Sequence, residues 1–293
     1  MRYPQLRMGK MVCIANWSEG RNLETISLMR RAINDLDLTH HYFEADIDHN
    51  RLVTAFSATP ELLRTAVARL CDVAFNRIDM SNHAGVHPRI GALDVCPFVV
   101  LENSIPQPDA LAFVRDLAQQ IASQYDLPAF LYEHSETGKH AADLPELRKG
   151  QYEGLLHRTL VPDFGPTQAN PKLGASVFGL RDWLIAMNVN LKTPDETIAK
   201  EIATQIRKLR DSDSRFAGVR ALGFPLHSRQ QSQVSLNLTR PDLTPVDPII
   251  EWIADEAKDR RTKAIGNELI GVIHRPRLKT ATRLNLIGRQ VLD

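Results

Sequence analysis

The stretch Ser81–Leu101 reads SNHAGVHPRIGALDVCPFVVL, and its second half decides the fold. From residue 92 to 101 the apolar positions first alternate and then fill, which predicts a strand buried in a sheet. Gly85, Pro88 and Gly91 break up the first half and make it a loop.

Working outward, the same reading assigns what precedes that strand. MVCIAN at 11–16 is a short buried strand, and Ile26, Leu28, Met29, Ala32 and Ile33 fall near helical spacing within a helix at 23–36. Two strands, 41–45 and 52–56, flank the polar turn Asp46-Ile-Asp-His-Asn-Arg51. A second helix starts at Pro60 and runs through Leu63, Ala66, Leu70 and Ala74. Closed by 92–101, the order is strand, helix, strand, strand, helix, strand, that of a ferredoxin-like unit. A helix at 109–124 and a strand at 129–132 extend it.

The second half repeats this order, with strand 183–191, helix 194–209, strands 219–226 and 233–238, helix 246–258 and strand 268–274. The expected fold is therefore α/β (α+β), with two βαββαβ units at residues 1–182 and 183–293. A ligand is expected in the cleft that two such units form. Between them, residues 144–179 carry LPELRKGQYEGL and VPDFGPTQANPKLGASVFG. Gly165, Gly174 and Gly179 allow close backbone approach to a flat ligand. The competing reading is an interdomain linker, but the segment is more apolar and more regularly spaced in glycine than a linker needs to be.

The chemistry concentrates in 81–94. His83 and His87 are four residues apart, a spacing that on a helix puts both on one face and suits zinc. Gly85 between them and Pro88 after the second exclude the helix, and no glutamate follows His83 as a His-Glu-x-x-His site requires. No metal site is expected. Loop histidines beside Arg89 and Asp94 suit catalysis, the alternative being solvated or backbone-bonded side chains.

Composition narrows the classes further. With 36 basic and 35 acidic residues the net charge is +1, so nothing marks a nucleic-acid surface or a polybasic membrane anchor. No apolar run approaches a membrane span or a signal peptide. Cys13, Cys71 and Cys96 are widely spaced among apolar neighbours and form no Cys-x-x-Cys pair, which predicts reduced core thiols in a cytoplasmic protein. There is no GxxxxGK[ST], GxGxxG or GxSxG motif.

HAGVHPRIGALDVCPF, VCIANWSEGRN, DHNR, LRKGQYEGL, PDFGP and LIAMNVNL together resemble glutamate formimidoyltransferase, including the transferase half of formimidoyltransferase-cyclodeaminase. The resemblance runs over about residues 11–273, its motifs in the family's order. It implies two α/β subdomains with facing sheets and outer helices, tetrahydrofolate bound as co-substrate between the sheets, and a homodimer. It also implies transfer of the formimidoyl group of N-formimidoyl-L-glutamate to N5 of tetrahydrofolate, with release of L-glutamate, in histidine degradation. The cyclodeaminase half is not matched, so any channelling to it is expected to involve another protein.

By the same resemblance His87, in the His-Pro-Arg step, is the acid-base residue, a role suited to a group that titrates near neutrality. Asn16, Asp48, Asn50 and Arg51 line the reaction centre with His83. Arg51 or Arg89 pairs with a substrate carboxylate, against the alternative of structural ion pairs. The folate loop maps to Gly165, Pro166 and Gly174, with Gly179 beyond. Val86 stands where relatives commonly carry glutamate, and after Gly271 the chain reads VIHRPRLKT in place of an apolar Pro-Leu ending. Two alternatives accompany this reading: formyl transfer involving N-formylglutamate or 5-formyltetrahydrofolate at the same site, and a folate-binding protein without catalysis.

Overall fold

Asn22 caps the first helix, its side chain accepting from the backbone N–H of Thr25 at 3.0 Å. Thr25, Met29 and Ile33 form the buried side of that helix, α1 (Leu23–Ile33), which follows strand β1 (Met11–Trp17). In this computed structural model, which describes residues 9–101 and 104–293, the chain continues through β2 (Thr39–Asp46), β3 (Arg51–Ala58), α2 (Pro60–Arg77) and β4 (Leu93–Val100). Pro60 opens α2, where a missing N–H removes no helical bond. Helix α3 (Gln107–Tyr125) and β5 (Ala129–Leu131) follow.

The next segment, expected as a binding loop, contains regular structure. It holds two short helices, α4 (Leu144–Leu147) and α5 (Gln151–Leu155), and ends in a strand, β6 (Ser176–Leu180). Leu147, Leu155, Leu160 and Ala169 pack with Ile90, Phe130, Tyr132 and Val177 in a small core of their own. Strand β6 lies between β4 and β5 and is parallel to both. The sheet order is β2-β3-β1-β4-β6-β5, so the expected four-stranded ferredoxin-like arrangement is present and two parallel strands extend it. Gly179 hid β6 from sequence reasoning, because glycine weakens a strand pattern. Its place is demanded by Tyr132, whose ring would lie 2.3 Å from a Cβ there.

The second sheet is built from β7 (Ile185–Leu191), β8 (Val219–Leu226), β9 (Gln231–Leu238) and β10 (Ala264–Ile270), with α6 (Glu196–Leu209) and α7 (Val246–Asp259) as its crossovers. Its order, β10-β7-β9-β8, is again ferredoxin-like. Ile185, Met187, Val189, Val234, Leu236 and Leu238 pack on Ile202, Ile206, Ile249 and Ile253 of the helices. By alternation the other face is polar, with Asn188 opposite both Ser235 and Glu268, and Asn190 opposite Gln233.

The strand expected at 268–274 is interrupted. Gly271 turns the chain at φ +76°, ending β10 and leaving β11 (Ile273–His274) to pair in parallel with β12 (Val291–Leu292). The buried Gln290 amide secures this tail, donating to the carbonyls of Leu269 and Gly271 at 3.0 and 2.8 Å. The three cysteines are buried and free. No helix among the described residues is long and apolar enough to cross a membrane.

By internal contacts the chain divides into two units. The first comprises residues up to Phe43, Thr54–His83 and Pro88–Arg181, and the second Glu44–Val53, Ala84–His87 and Asp182–Asp293. The polar turn after β2 and the residues leading to His87 thus cluster with the second sheet.

Candidate active site

Asp46 shapes the turn. Its carboxylate accepts from the backbone N–H groups of Asp48 and His49 at 2.9 and 2.8 Å, an Asx turn, and pairs with Arg229 at 2.8 Å. Asn50 then takes a left-handed conformation, φ +48°, which asparagine tolerates well. Its side chain donates to the Ala84 carbonyl at 3.1 Å, and Val86 N–H donates to the Asp48 carbonyl at 3.2 Å. Gly85 sits so close that a Cβ would lie 2.3 Å from the His49 carbonyl oxygen, so only glycine lets the strand of residues before His87 lie against the turn. The two segments are therefore locked together, and His87 is delivered beside His49.

Asp48 is buried and ties the turn to the β8–β9 connection, accepting from Ser228 N–H at 2.9 Å and Ser228 Oγ at 2.6 Å. His49 is 2% exposed. Its ring centroid lies 5.6 Å from that of His87, and the Phe224 ring stands 5.2 Å from His49 and 5.8 Å from His87. Phe224 and Gln233 are partners across β8 and β9, so the alternation of that face fixes this cluster. His49 Nε2 meets Gln233 Oε1 at 3.0 Å, and Gln233 Nε2 donates to Asn190 Oδ1 at 2.9 Å and Glu268 Oε1 at 3.0 Å. Burial first, then the Arg51 guanidinium, push His49 down to about 4 against the opposing influence of Asp46, Gln233 and Asp48. At neutral pH it is an uncharged imidazole.

His83 and Arg89 form a second cluster, within the first unit. Arg89 Nε donates to His83 Nδ1 at 3.1 Å, Nη1 to Gln151 at 3.1 Å and Glu153 at 2.9 Å, and Nη2 to the His83 carbonyl at 3.0 Å and Glu153 at 2.6 Å. A guanidinium has five N–H donors, and here every one is engaged by protein. Arg89 is thus held by protein partners, and its hydrogen bonds hold the Glu153 carboxyl below its ordinary range. Asp94 likewise has protein partners, accepting from Ile90 N–H at 3.0 Å and pairing with Arg148.

The structure therefore brings Asp48, Asn50, Arg51 and His87 into one unit and His83, Arg89 and Asn16 into the other. Asn16 lies on β1 at a register irregularity beside Val95. Residues 83–88 are non-helical, as Gly85 and Pro88 require. Among the described residues no group of three or more His, Cys, Asp or Glu side chains is arranged to hold a metal ion. Gly165 and Gly174 have φ of +84° and +74°, and a Cβ on either would lie about 2 Å from the carbonyl oxygen of Leu127 or Ile90 respectively. Protein neighbours already account for these glycines. Sequence reasoning missed His49, Gln233, Glu268 and Phe224. The signal for Gln233 was present in β9, where Gln231, Gln233, Ser235 and Asn237 alternate with apolar residues.

Residues 10–181 match the formiminotransferase domain, N-terminal subdomain, and residues 186–288 the formiminotransferase domain. The chain belongs to the formiminotransferase family. It is 35% identical to glutamate formimidoyltransferase of Streptococcus pyogenes over 90% of this chain and 89% of that protein. Against the glutamate formimidoyltransferase of Thermoplasma acidophilum it is 33% identical, over 91% and 88%. It is 34% identical to the formimidoyltransferase-cyclodeaminase of Dictyostelium discoideum over 91% of this chain, and spans about half (51%) of that longer protein. Within the family's first subdomain match lie the turn, His87 and Arg89, and within the second lie Phe224, Gln233 and Glu268.

Proposed function

We propose that this protein transfers the formimidoyl group of N-formimidoyl-L-glutamate to N5 of tetrahydrofolate, giving 5-formimidoyltetrahydrofolate and L-glutamate. The observation that carries this reading is the match of both subdomains to the formiminotransferase family, with relatives named glutamate formimidoyltransferase similar over nine-tenths of their length. N5 attacks the formimidoyl carbon and forms the new C–N bond, and His87 takes the proton that N5 loses. The tetrahedral intermediate then breaks its bond to the glutamate nitrogen, which leaves with that electron pair and the proton returned by His87. A histidine that can accept and return a proton near neutral pH suits both steps.

In this reading Arg51 pairs with a donor carboxylate, and Asn16, Asn50 and His83 contact substrate. Asp48 and Arg89 act by holding the turn and the His83 loop, as their protein partners suggest. The segment with Gly165, Pro166, Gly174 and Gly179 holds the folate. The protein would work as a cytoplasmic homodimer on small-molecule substrates.

The test is glutamate release, run on protein whose mass light scattering reports as a dimer. With N-formimidoyl-L-glutamate, release should depend on tetrahydrofolate, N-formylglutamate should react far more slowly, and Arg51→Ala should raise the KM of the donor by about 10- to 100-fold. Absence of folate-dependent release would overturn the reading, and equal rates with the formyl donor would replace it with formyl transfer.

A further inference from the structure

The Gln233 amide has only one orientation that satisfies its neighbours. Its NH2 group donates to Asn190 Oδ1 and to the Glu268 carboxylate, and a carboxylate only accepts. Oε1 therefore faces His49 and accepts, so the proton of the neutral imidazole resides on Nε2. Nδ1 is left as a bare lone pair. It is buried, and among the described residues it has no hydrogen-bond partner. Buried polar atoms without partners are rare enough to require a reason.

The ring beside it supplies one. An N–H···N bond of about 2.9 Å between two imidazoles brings their centroids to about 5 Å, and those of His49 and His87 are 5.6 Å apart with a 34° tilt. A small turn of the His87 ring would bring an N–H to the lone pair, while Phe224 packs against both rings. We propose that His49 is a positioning residue, its Nδ1 accepting a hydrogen bond from His87 while His87 holds the proton taken from the attacking nitrogen.

This rests on His87 as the acid-base residue of the proposed transfer. The proton stays on His87 throughout and returns to the leaving nitrogen, so His49 gains and loses nothing. A neutral acceptor stabilises the imidazolium without binding its proton as tightly as a carboxylate would, which keeps the return step open. His49 remains an acceptor through the neutral range, because burial and Arg51 keep it uncharged despite Asp46 and Asp48 on its own turn. From β10 the Glu268 carboxylate reaches it only through Gln233, Arg229 is paired with Asp46, and Phe224 on β8 is uncharged.

Two substitutions separate the two ring nitrogens. His49→Gln places an amide near Nε2, keeping the bond to Gln233 and removing the Nδ1 acceptor. His49→Asn places an amide oxygen near Nδ1 and gives up the Gln233 bond. Histidine-selective NMR titration of the free enzyme reads the His87 midpoint with no substrate present. The midpoint should fall by about one pH unit in His49→Gln and stay near the wild-type value in His49→Asn. The acidic limb of kcat/KM should move to lower pH in His49→Gln alone, with kcat down about tenfold.

Equal His87 midpoints in all three folded proteins would overturn the proposal, and so would a larger shift in His49→Asn than in His49→Gln. Failure of the transfer assay in the wild-type protein would overturn the functional reading instead, since the titration does not depend on turnover.

Discussion

Burial favours the uncharged His49 ring in the folded protein, and this ties stability to acidity. Burial and Arg51 lower it from the usual 6.5 to about 4. Above pH 6.5 the folded and unfolded chains both leave the ring neutral. Between 6.5 and about 4 only the unfolded chain takes up the proton, so stability falls as the pH falls, and the loss is complete below the folded value. His40 and His274 are also lowered, chiefly by burial, and act in the same direction. His49's own part is therefore a difference between proteins. The thermal midpoint of the wild type should drop more steeply from pH 6.5 to 4 than that of His49→Gln, as differential scanning calorimetry would record. Parallel midpoints across that window would contradict the assignment.

At the scale of elements, β4 and the short helices α4 and α5 are joined by one buried ion pair. Asp94 at 3% side-chain exposure meets Arg148 at 13%, just after α4, and Asp94 also fixes the Ile90 N–H where the loop carrying His87 enters β4. Asp94→Ala leaves the guanidinium buried and unpaired, which should destabilise the protein by about 3–5 kcal/mol in denaturant unfolding. A loss below about 1 kcal/mol would show the pair to be effectively solvated.

Elements with a full periodic pattern were legible. The helices from Pro60, Glu196 and Val246 are each predicted within two residues of where they begin, because each buries a full apolar face. Strand β6 was not legible, since its glycine answers to Tyr132, a residue distant in sequence. The break at Gly271 escaped notice for a related reason, because a single left-handed residue interrupts an otherwise apolar run.

The whole molecule reuses one design, and both units carry the 4-1-3-2 ferredoxin-like order under crossover helices. That order could be read from the succession of periods alone. The partners of the site residues could not. Asp48 finds Ser228, and His49 finds Gln233, across 180 and 184 residues of chain, and nothing local announces either pairing. The turn and His87 are held by their own backbone contacts, while the sheet supplies the polar environment on the other side of His49. On this account the scaffold prepares a single histidine for proton transfer, and removing that imidazole should cripple chemistry while leaving binding intact.

The most direct measurement is steady-state kcat for tetrahydrofolate-dependent glutamate release by the wild type and His87→Ala, with the tetrahydrofolate Kd of each determined by calorimetry. The account predicts a fall in kcat of about 10²- to 10⁴-fold at an unchanged Kd. A His87→Ala protein that turns over within a few-fold of the wild type would contradict it.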